Sequence, residues 1–504
     1  MKSTVDSASA SEAVPAPETA EIAGTADAAG SVGSDRPSRL LEHGWWPLVL
    51  WCLGLVMGAG ALSDNSFLTH LATGRLIREG GAPHTDVYSF ATEGSPIVVQ
   101  SWLASWWYAT LEWVGGAFAI RVFIALLTAT LLVVLWRLTR PAASLVGRMA
   151  LVAMAAMVGL LWWNERPQII GFLALALIAL VISERRSPWW LFGLFALWVN
   201  CHGSFPLGLA YVGMAVVVRV VANRAITRRE VTEAVATVAG IVIGAAVSPY
   251  GFELLTFPIE LLGRSSSLIL ITEWRPLALR EFATVVFLIE VVAICALLAM
   301  QRAWLRLLMA AFFVGLALMA VRNVAIASLA LIPIAAPSLA GLGSLREGPS
   351  PGKRQLRLGG VVAAALVMVF IGVTDDYDLS AYPTAAVDWM QDAGLVGRAD
   401  GENLRVLSHD YSGNYLEWRY GAEANTWIDD RAELYPFETA RDYVFLLSDI
   451  GDHDVILARH PHDVVMWAAD STLARHLAAD DAYEIIYRDP GTVIACRKGG
   501  AGPC

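Results

Sequence analysis

Residues 164–186 of the chain read NERPQIIGFLALALIALVISERR, and this stretch decides the fold class. Its central run, 167–183, is apolar and carries no charge, which is typical of a membrane-spanning helix. Asn164-Glu165-Arg166 stands at one end of the run and Arg185-Arg186 at the other. Polar groups at a bilayer are costly and tend to mark a working site. The stretch therefore predicts a span that carries a polar cluster at one end.

The whole chain has the composition of a protein that crosses a membrane many times. Of its 504 residues, 56% are hydrophobic and 16% are charged, and its mean hydropathy is +0.54. These values exclude a soluble globular protein. Apolar runs that could span recur along it, at 45–62, 117–136, 147–163, 167–183, 188–200, 205–222, 232–248, 283–300, 303–320, 324–342 and 358–374. The predicted fold class is mainly α, a polytopic membrane protein with about 11 transmembrane helices.

Positive charge predicts how these helices are oriented. Lys and Arg are concentrated in every second connection, and cytoplasmic connections carry that excess. Residues 1–40 are then a disordered cytoplasmic tail, and residues 41–375 form the transmembrane domain. Its large extracytoplasmic loops are 63–116 and 249–282, and residues 376–504 form an extracytoplasmic α/β domain. The predicted location is the plasma membrane.

Short strand-like runs define the predicted C-terminal α/β domain, at 405–408, 426–429, 455–458, 484–487 and 492–496. Helices are predicted over 385–393 and 436–447, and Asp489-Pro490-Gly491 predicts a hairpin turn. Asp429-Asp430-Arg431 is interpreted as a turn with a salt bridge around Arg431. The five cysteines show no paired spacing, so no disulfide framework is predicted.

The first outer loop is the richest in chemistry. Asp64 follows the first apolar run directly, and a helix is predicted over 65–80, so Asp64 and His70 lie within about two helical turns. Asp86 adds a second carboxylate on a turn. These three residues are the predicted catalytic groups, although capping of the helix is an alternative role for Asp64. The Trp-rich stretch 102–113 is predicted to lie in the headgroup layer without crossing it.

This loop resembles the first outer loop of the bacterial GT-C glycosyltransferase superfamily. The resemblance rests on Asp64, His70, Gly74, Gly80-Gly81, Pro83, Asp86 and Ser89, followed by Trp102-Leu103. It covers about residues 45–342 in layout, and the later motifs resemble a branch that carries a C-terminal soluble domain. Members such as protein O-mannosyltransferases and aminoarabinose transferases take a sugar from a polyprenyl-phosphate carrier. The resemblance implies that Asp64 is the base, and it departs from the family pattern at Asn65, where a second acidic residue is common.

Polar groups in the other outer connections are predicted to bind substrate: Glu165, Arg166, His202, Glu273, Trp274, Arg322 and Asn323. Arg166 and Arg322 are candidates for holding phosphate, because guanidinium grips phosphate oxygens in a bidentate way. Their alternative role is to reach lipid headgroups. Glu273 beside Trp274 is typical of sugar sites, although an interfacial anchor explains Trp274 equally well. His202 could bind phosphate or a sugar hydroxyl, or be a satisfied interfacial histidine.

The sequence therefore predicts an integral membrane glycosyltransferase that moves a sugar from a polyprenyl-phosphate-linked donor to an extracytoplasmic acceptor. Membrane lipid is the other predicted partner, and nucleic acid is not one, since the formal charge is −10. The carboxylates and histidines leave room for a divalent cation, magnesium or manganese, without a complete ligand set. A non-catalytic scaffold for envelope assembly and a lipid or solute transporter are the alternatives. The chain has no Walker phosphate loop, HExxH or CxxC pair.

Overall fold

Apolar helices form most of the fold, and one lies at each predicted apolar run. The computed structural model of the chain describes residues 45–142, 144–263, 272–340, 352–373, 376–397 and 404–499. The predicted tail, 1–40, lies outside the described residues. The helices of the apolar region are α1 (Trp46–Gly58), α2 (Asn65–Gly80), α3 (Trp102–Leu138), α4 (Leu145–Gly159), α5 (Gln168–Ser183), α6 (Trp189–Cys201), α7 (Phe205–Asn223), α8 (Arg228–Ala246), α9 (Glu253–Gly263), α10 (Phe282–Met300), α11 (Trp304–Met319), α12 (Val324–Ala335) and α13 (Lys353–Val373).

Five helical segments of the described chain are long and apolar enough to cross a membrane, namely Trp102–Ala142, Phe205–Asn223, Phe282–Met300, Val321–Leu339 and Lys353–Gly372. Shorter apolar helices accompany them, namely α1, α4, α5, α6 and α11. Several helices leave large apolar side chains exposed, as Leu358, Val361, Leu366 and Val369 do on α13. Apolar surface of this extent suits contact with lipid. The fold is thus mainly helical and has helices suited to a membrane.

A break within α3 separates the Trp-rich stretch from the span that follows it. Gly115 and Gly116 leave the helical conformation, and Gly116 has a φ of 63° and a ψ of −161°. A side chain at Gly116 would be strained in this backbone. The sequence predicted one helical stretch over 102–113 and a separate span from 117, and the break confirms that division. The position of the first stretch in the headgroup layer stays a prediction.

Glycines allow two pairs of helices to pack with their backbones in close contact. A Cβ atom at Gly54 of α1 would lie 2.5 Å from the Cα of Ala129 in α3. At Gly244 of α8 it would lie 2.8 Å from the Cα of Ala196 in α6. Gly58 and Gly240, each four residues away on the same helix, make similar approaches. Small residues spaced by four are typical of closely packed membrane helices.

Residues 376–397 and 404–499, the C-terminal segment, form a four-stranded sheet with helices around it. Its order is β1-β2-β4-β3, with β1 parallel to β2 and the other pairs antiparallel. The strands are β1 (Val406–Ser408), β2 (Val464–Ala468), β3 (Tyr483–Arg488) and β4 (Thr492–Arg497). The helices are α14 (Thr384–Asp392), α15 (Asp410–Tyr420), α16 (Phe437–Ser448), α17 (His453–Arg459) and α18 (Thr472–Ala479).

Most predicted elements of this segment are confirmed, and two are wrong. The hairpin at Asp489 is confirmed, because its amide donates to the Thr492 carbonyl at 2.9 Å. The strand predicted over 455–458 is part of helix α17, which starts because the Asp452 carboxylate caps the amides of Asp454 and Val455. The strand predicted over 426–429 makes only isolated bridges. Cys496 forms a disulfide bond, which the cysteine spacing did not predict.

The sheet and the apolar helices belong to one compact unit, His43–Cys504. α15 packs along α2, where the Thr69 hydroxyl donates to the Glu417 carboxylate at 2.8 Å. The first loop also joins the segment, since the Ser89 hydroxyl donates to the Trp427 carbonyl at 2.6 Å. The predicted domain boundary at 375–376 therefore falls inside a single folded unit, and it stays a prediction.

Candidate functional site

Asp64 ends the connection between α1 and α2, and its carboxylate faces away from the helix it precedes. Asp64 occupies the position before α2 but makes no side-chain capping bond. Both its carboxylate oxygens instead accept from Nε of Arg166 at 2.7 Å, and Oδ2 also accepts from Asn164 at 2.9 Å. The helix-capping interpretation of Asp64 is therefore wrong. The carboxylate is one half of an ion pair between two connections.

Arg166 extends this ion pair to a third connection. Its Nη1 atom also donates to the carboxylate of Glu273, in the short 3-10 helix Thr272–Trp274. Burial alone would lower the pKa of Arg166, but Asp64 and Glu273 together raise it above its ordinary value. One guanidinium thus holds two carboxylates that are far apart in the sequence. It remains charged at every accessible pH.

Glu165 holds the main chain in position at Asp64. Its Oε1 atom accepts from the backbone amides of Ser63 at 2.5 Å and Asp64 at 2.6 Å. The side chain is buried, and burial raises its pKa even though these amides act in the opposite direction. Glu165 was predicted to bind substrate. These contacts favour a positioning role, because its carboxylate is engaged with the main chain that carries Asp64.

Arg322 and Trp274 lie together on the far side of Glu273. The guanidinium carbon of Arg322 lies 4.5 Å from the centroid of the Trp274 ring, and the Val321 amide donates to the Arg275 carbonyl at 3.0 Å. Arg322 also interacts electrostatically with Glu273 and Arg166. A guanidinium over an indole face is a favourable cation–π arrangement. The predicted phosphate ligands Arg166 and Arg322 therefore both interact with Glu273.

Asn323 is directed away from this cluster. Its amide nitrogen donates to the Leu316 carbonyl at 3.0 Å, at the end of α11. Asn323 was predicted to bind substrate, but this bond shows it closing the turn between α11 and α12. The Asn323 side chain is thus committed to local structure.

Two imidazoles are close to the arginines. Nδ1 of His70 lies 3.2 Å from the Ser101 hydroxyl, and Nδ1 of His202 lies 2.7 Å from the Ser204 hydroxyl. Burial, together with the charge of nearby arginines, lowers the pKa of each histidine to about 3. Both rings are therefore neutral near pH 7. A neutral ring can exchange hydrogen bonds with a sugar hydroxyl, but it adds no charge to a phosphate site.

Asp86 belongs to a second cluster, around Arg431 of the C-terminal segment. Its carboxylate lies 2.9 Å from Nη1 of Arg431 and accepts from the Thr92 hydroxyl at 2.5 Å. Arg431 also pairs with Asp429 at 2.5 Å, which confirms the predicted salt bridge around Arg431. Asp86 is only 2% exposed. Its contacts are those of a structural ion pair, so the structure does not bring it into the Asp64 cluster as a catalytic carboxylate.

Asp430 is a residue of the site that the sequence did not single out. Its carboxylate accepts from the hydroxyl of Ser66, the second residue of α2. It also interacts electrostatically with Arg166. Asp429-Asp430-Arg431 was interpreted as a turn, and nothing in its local pattern separates the role of Asp430 from that of its neighbours. Only the fold brings this carboxylate to Ser66, which lies just after Asp64 in the sequence, and close to Arg166.

The remaining helix ends close the same region. The Trp102 indole donates to Asn200 at 2.8 Å, and Asn200 in turn donates to the Gly244 carbonyl of α8 at 2.9 Å. The Tyr250 hydroxyl donates to the Pro83 carbonyl at 2.8 Å. Of the predicted site residues, Asp64, Arg166, Glu273 and Arg322 are therefore brought together, whereas Asp86 and Asn323 are not. The arrangement presents carboxylates, neutral imidazoles and two guanidiniums in one region, which suits an anionic ligand that carries hydroxyl groups.

A possible set of metal ligands occurs elsewhere among the described residues. The ligand atoms of Asp454, His476 and Asp480 lie within 4.8 Å of one another. Nε2 of His476 is already 2.9 Å from the Asp454 carboxylate, and this carboxylate is exposed. The group lies on α17, on α18 and just after α18, apart from the Asp64 contacts. The predicted divalent cation at the site stays a prediction.

The chain matches no protein-family model and no curated protein.

Proposed function

We propose that the chain is an integral membrane glycosyltransferase of the GT-C type. It transfers a sugar from a polyprenyl-phosphate-linked donor to an extracytoplasmic acceptor in the cell envelope. The observation that carries the proposal is Arg166, which binds both Asp64 and Glu273 and lies beside Arg322. A base, two phosphate-binding cations and a sugar-facing aromatic residue, Trp274, are thereby grouped at helix ends.

The resting ion pairs suggest how the donor engages the site. A phosphate that enters beside Arg166 and Arg322 can bind both guanidiniums at once through bidentate contacts, so Arg166 can exchange Asp64 for phosphate oxygens. Asp64 is then free to accept the proton of an acceptor hydroxyl. The acceptor oxygen forms a bond to the anomeric carbon, and the bond between that carbon and the phosphate oxygen breaks. The departing phosphate keeps the electron pair, and the two guanidiniums compensate its charge.

Membrane topology completes the proposal. All eleven apolar runs form helices, and we place them as spans, the shorter ones recruiting flanking residues. The charge bias puts the N-terminus in the cytoplasm, so the Asp64 cluster and residues 376–504 face outward. The disulfide at Cys496 is in keeping with an oxidising compartment. An outward site suits a polyprenyl-linked donor, because the acceptor lies on that side.

One observation favours a second candidate, lipid or solute transport. Glu290 lies within α10 and is fully buried, and its carboxylate accepts from the Ser328 hydroxyl of α12 at 2.6 Å. An ionisable group inside a span commonly marks a transport path. The polar groups of the site itself lie in connections between helices, which supports catalysis there. A scaffold without catalysis would leave Asp64 dispensable.

Mass spectrometry of envelope glycans tests the proposal in the cell. A strain that lacks this chain should lose one sugar from a glycan, lipid or protein of its envelope. The intact chain should restore that sugar, and the Asp64→Asn chain should not, although it reaches the membrane in equal amount. An unchanged glycan profile in the deletion strain would contradict the proposed function.

A further inference from the structure

Asp430 belongs to the C-terminal segment and lies close to the cluster of Asp64, Arg166 and Glu273, the Asp64 cluster. Its carboxylate is bound by Ser66 of α2, and its amide donates to the Asn414 side chain at 3.1 Å. Asn414 in turn donates to the Asn65 carbonyl at 3.3 Å. The first turn of α2, which directly follows Asp64, is therefore held to the C-terminal segment by two polar contacts.

The backbone around Asp430 is fixed by its neighbours. Arg431 is bound by Asp86 and Asp429, and the Asp429 amide donates to the Tyr435 hydroxyl at 3.0 Å. Asp429 is only 2% exposed, whereas Asp430 is more accessible. The segment thus buries its flanking charges in ion pairs and leaves the Asp430 carboxylate toward the site.

Tyr382 shows that Asp64 and Asp430 share one environment. Its hydroxyl lies 3.2 Å from Asn65 and interacts electrostatically with Asp64, Asp430 and Glu165. Besides Tyr382, the charged and titratable groups that face Asp430 are Arg166 between α4 and α5, Asp410 of α15, and Asp429. Asp64 and Asp430 therefore both interact with Tyr382 and with Arg166, and we call this pair of carboxylates the acidic side of the site.

Burial and the charge of Asp429 raise the pKa of Asp430 to about 7, although the Ser66 hydroxyl and Arg166 act to lower it. Asp64 differs, because a guanidinium and an amide already occupy its oxygens. Asp430 is the carboxylate that is better able to accept a new hydrogen bond. Its ionisation state changes near neutral pH.

We infer that Asp430 binds the acceptor, accepting a hydrogen bond from an acceptor hydroxyl next to the one that reacts at Asp64. This inference rests on the proposed function. The donor phosphate then takes the cationic side of the site, at Arg166 and Arg322, and a neutral polyhydroxyl acceptor takes the acidic side. The carboxylate pair disfavours an acceptor that carries a carboxylate of its own. Acceptor choice is thereby assigned to the C-terminal segment through one side chain.

Steady-state transfer to simple acceptors tests this inference. The intact protein in detergent is supplied with labelled polyprenyl-phosphate sugar and with methyl glucoside, methyl mannoside, methyl galactoside or methyl glucuronide. For the wild-type chain, KM for a neutral glycoside should rise as pH falls through about 7, because the protonated carboxyl is a poorer acceptor. In the Asp430→Asn variant, KM for a neutral glycoside should rise about tenfold at pH 8 and should no longer depend on pH. The variant should also discriminate less against methyl glucuronide, and its kcat should change less than threefold.

Two further variants separate binding from folding. Ser66→Ala removes a hydroxyl that lowers the Asp430 pKa, so the inflection in KM should move to higher pH. Asp470→Asn, an exposed residue of the same segment, should leave KM and its pH dependence unchanged. Wild-type-like KM values and pH dependence in both Asp430→Asn and Ser66→Ala would overturn the inference. Absence of transfer by the wild-type chain to these glycosides and to envelope extract would instead count against the proposed function.

Discussion

Nε of Arg166 lies 2.7 Å from both carboxylate oxygens of Asp64, although the two residues are 102 positions apart in the sequence. The pair is partly buried, and Arg166 carries its charge on to Glu273. In the resting state the charge of Asp64 is therefore compensated by Arg166, and Arg166 is shared between two carboxylates. A ligand that takes Arg166 must change the state of Asp64.

Arg166→Ala should lower the rate of sugar transfer by about 100-fold or more, because the donor phosphate loses one of its two guanidinium partners. Arg166→Lys should recover only part of it, since an ammonium cannot bind in the bidentate way. Initial rates of sugar transfer in membranes measure both. Arg228→Ala, at an exposed position at the start of α8, is the control and should keep full activity. Equal activity in the alanine and lysine variants would contradict the phosphate role.

Asp86→Ala should lower the free energy of unfolding by about 1–3 kcal/mol, because Arg431 loses one buried carboxylate partner and keeps Asp429. Thermal unfolding in detergent measures this loss. The fraction that stays folded should retain its kcat, since Asp86 lies in the Arg431 cluster. Full thermal stability combined with lost transfer would instead return Asp86 to the catalytic group that the sequence predicted.

The two half-buried histidines predict that stability falls at acid pH. His70 and His202 have a folded-state pKa of about 3, below the ordinary value of about 6.5. The unfolded chain therefore binds more protons between these values, and the free energy of unfolding decreases as pH falls through that window. The slope is at most about 1.4 kcal/mol per pH unit for each ring. The double variant His70→Asn/His202→Asn should show a flatter dependence of Tm on pH, and an unaltered slope would contradict neutral burial.

Gly54→Val should destabilise the fold by about 1–3 kcal/mol, because the added side chain meets the backbone of Ala129. Thermal unfolding or protease resistance in detergent would detect it. Gly213→Ala is the matched control, since a Cβ atom there meets nothing within 4 Å. If both variants were equally stable, the close contact of α1 with α3 would be in doubt.

The apolar pattern was sufficient to predict the helices, and the helix predicted over 65–80 is α2 (Asn65–Gly80). The break at Gly115 and Gly116 also followed from the pattern. Strands were harder, because a short apolar run such as 455–458 has no period that distinguishes a strand from a helix. There the Asp452 cap determined the outcome.

The site was predictable only where each residue stood in an outer connection between two predicted spans. Asp64, Arg166, Glu273 and Arg322 all met that condition, and the fold brings them together. Asp430 did not, because its place depends on how the C-terminal segment packs on α2. Asp86 met the condition but pairs with Arg431, a partner 345 positions away that no local pattern indicates. Long-range packing therefore decided which carboxylates belong to the site.

Sugar transfer by the Asp64→Asn chain tests the central claim most directly. Purified wild-type and variant protein are compared with labelled polyprenyl-phosphate sugars and envelope extract, after thermal unfolding has shown that both are folded. The wild-type chain should transfer label, and the variant should lose at least about 100-fold of that rate, because its amide cannot take the acceptor proton. Transfer by the variant at the wild-type rate would contradict the role of Asp64 as the base.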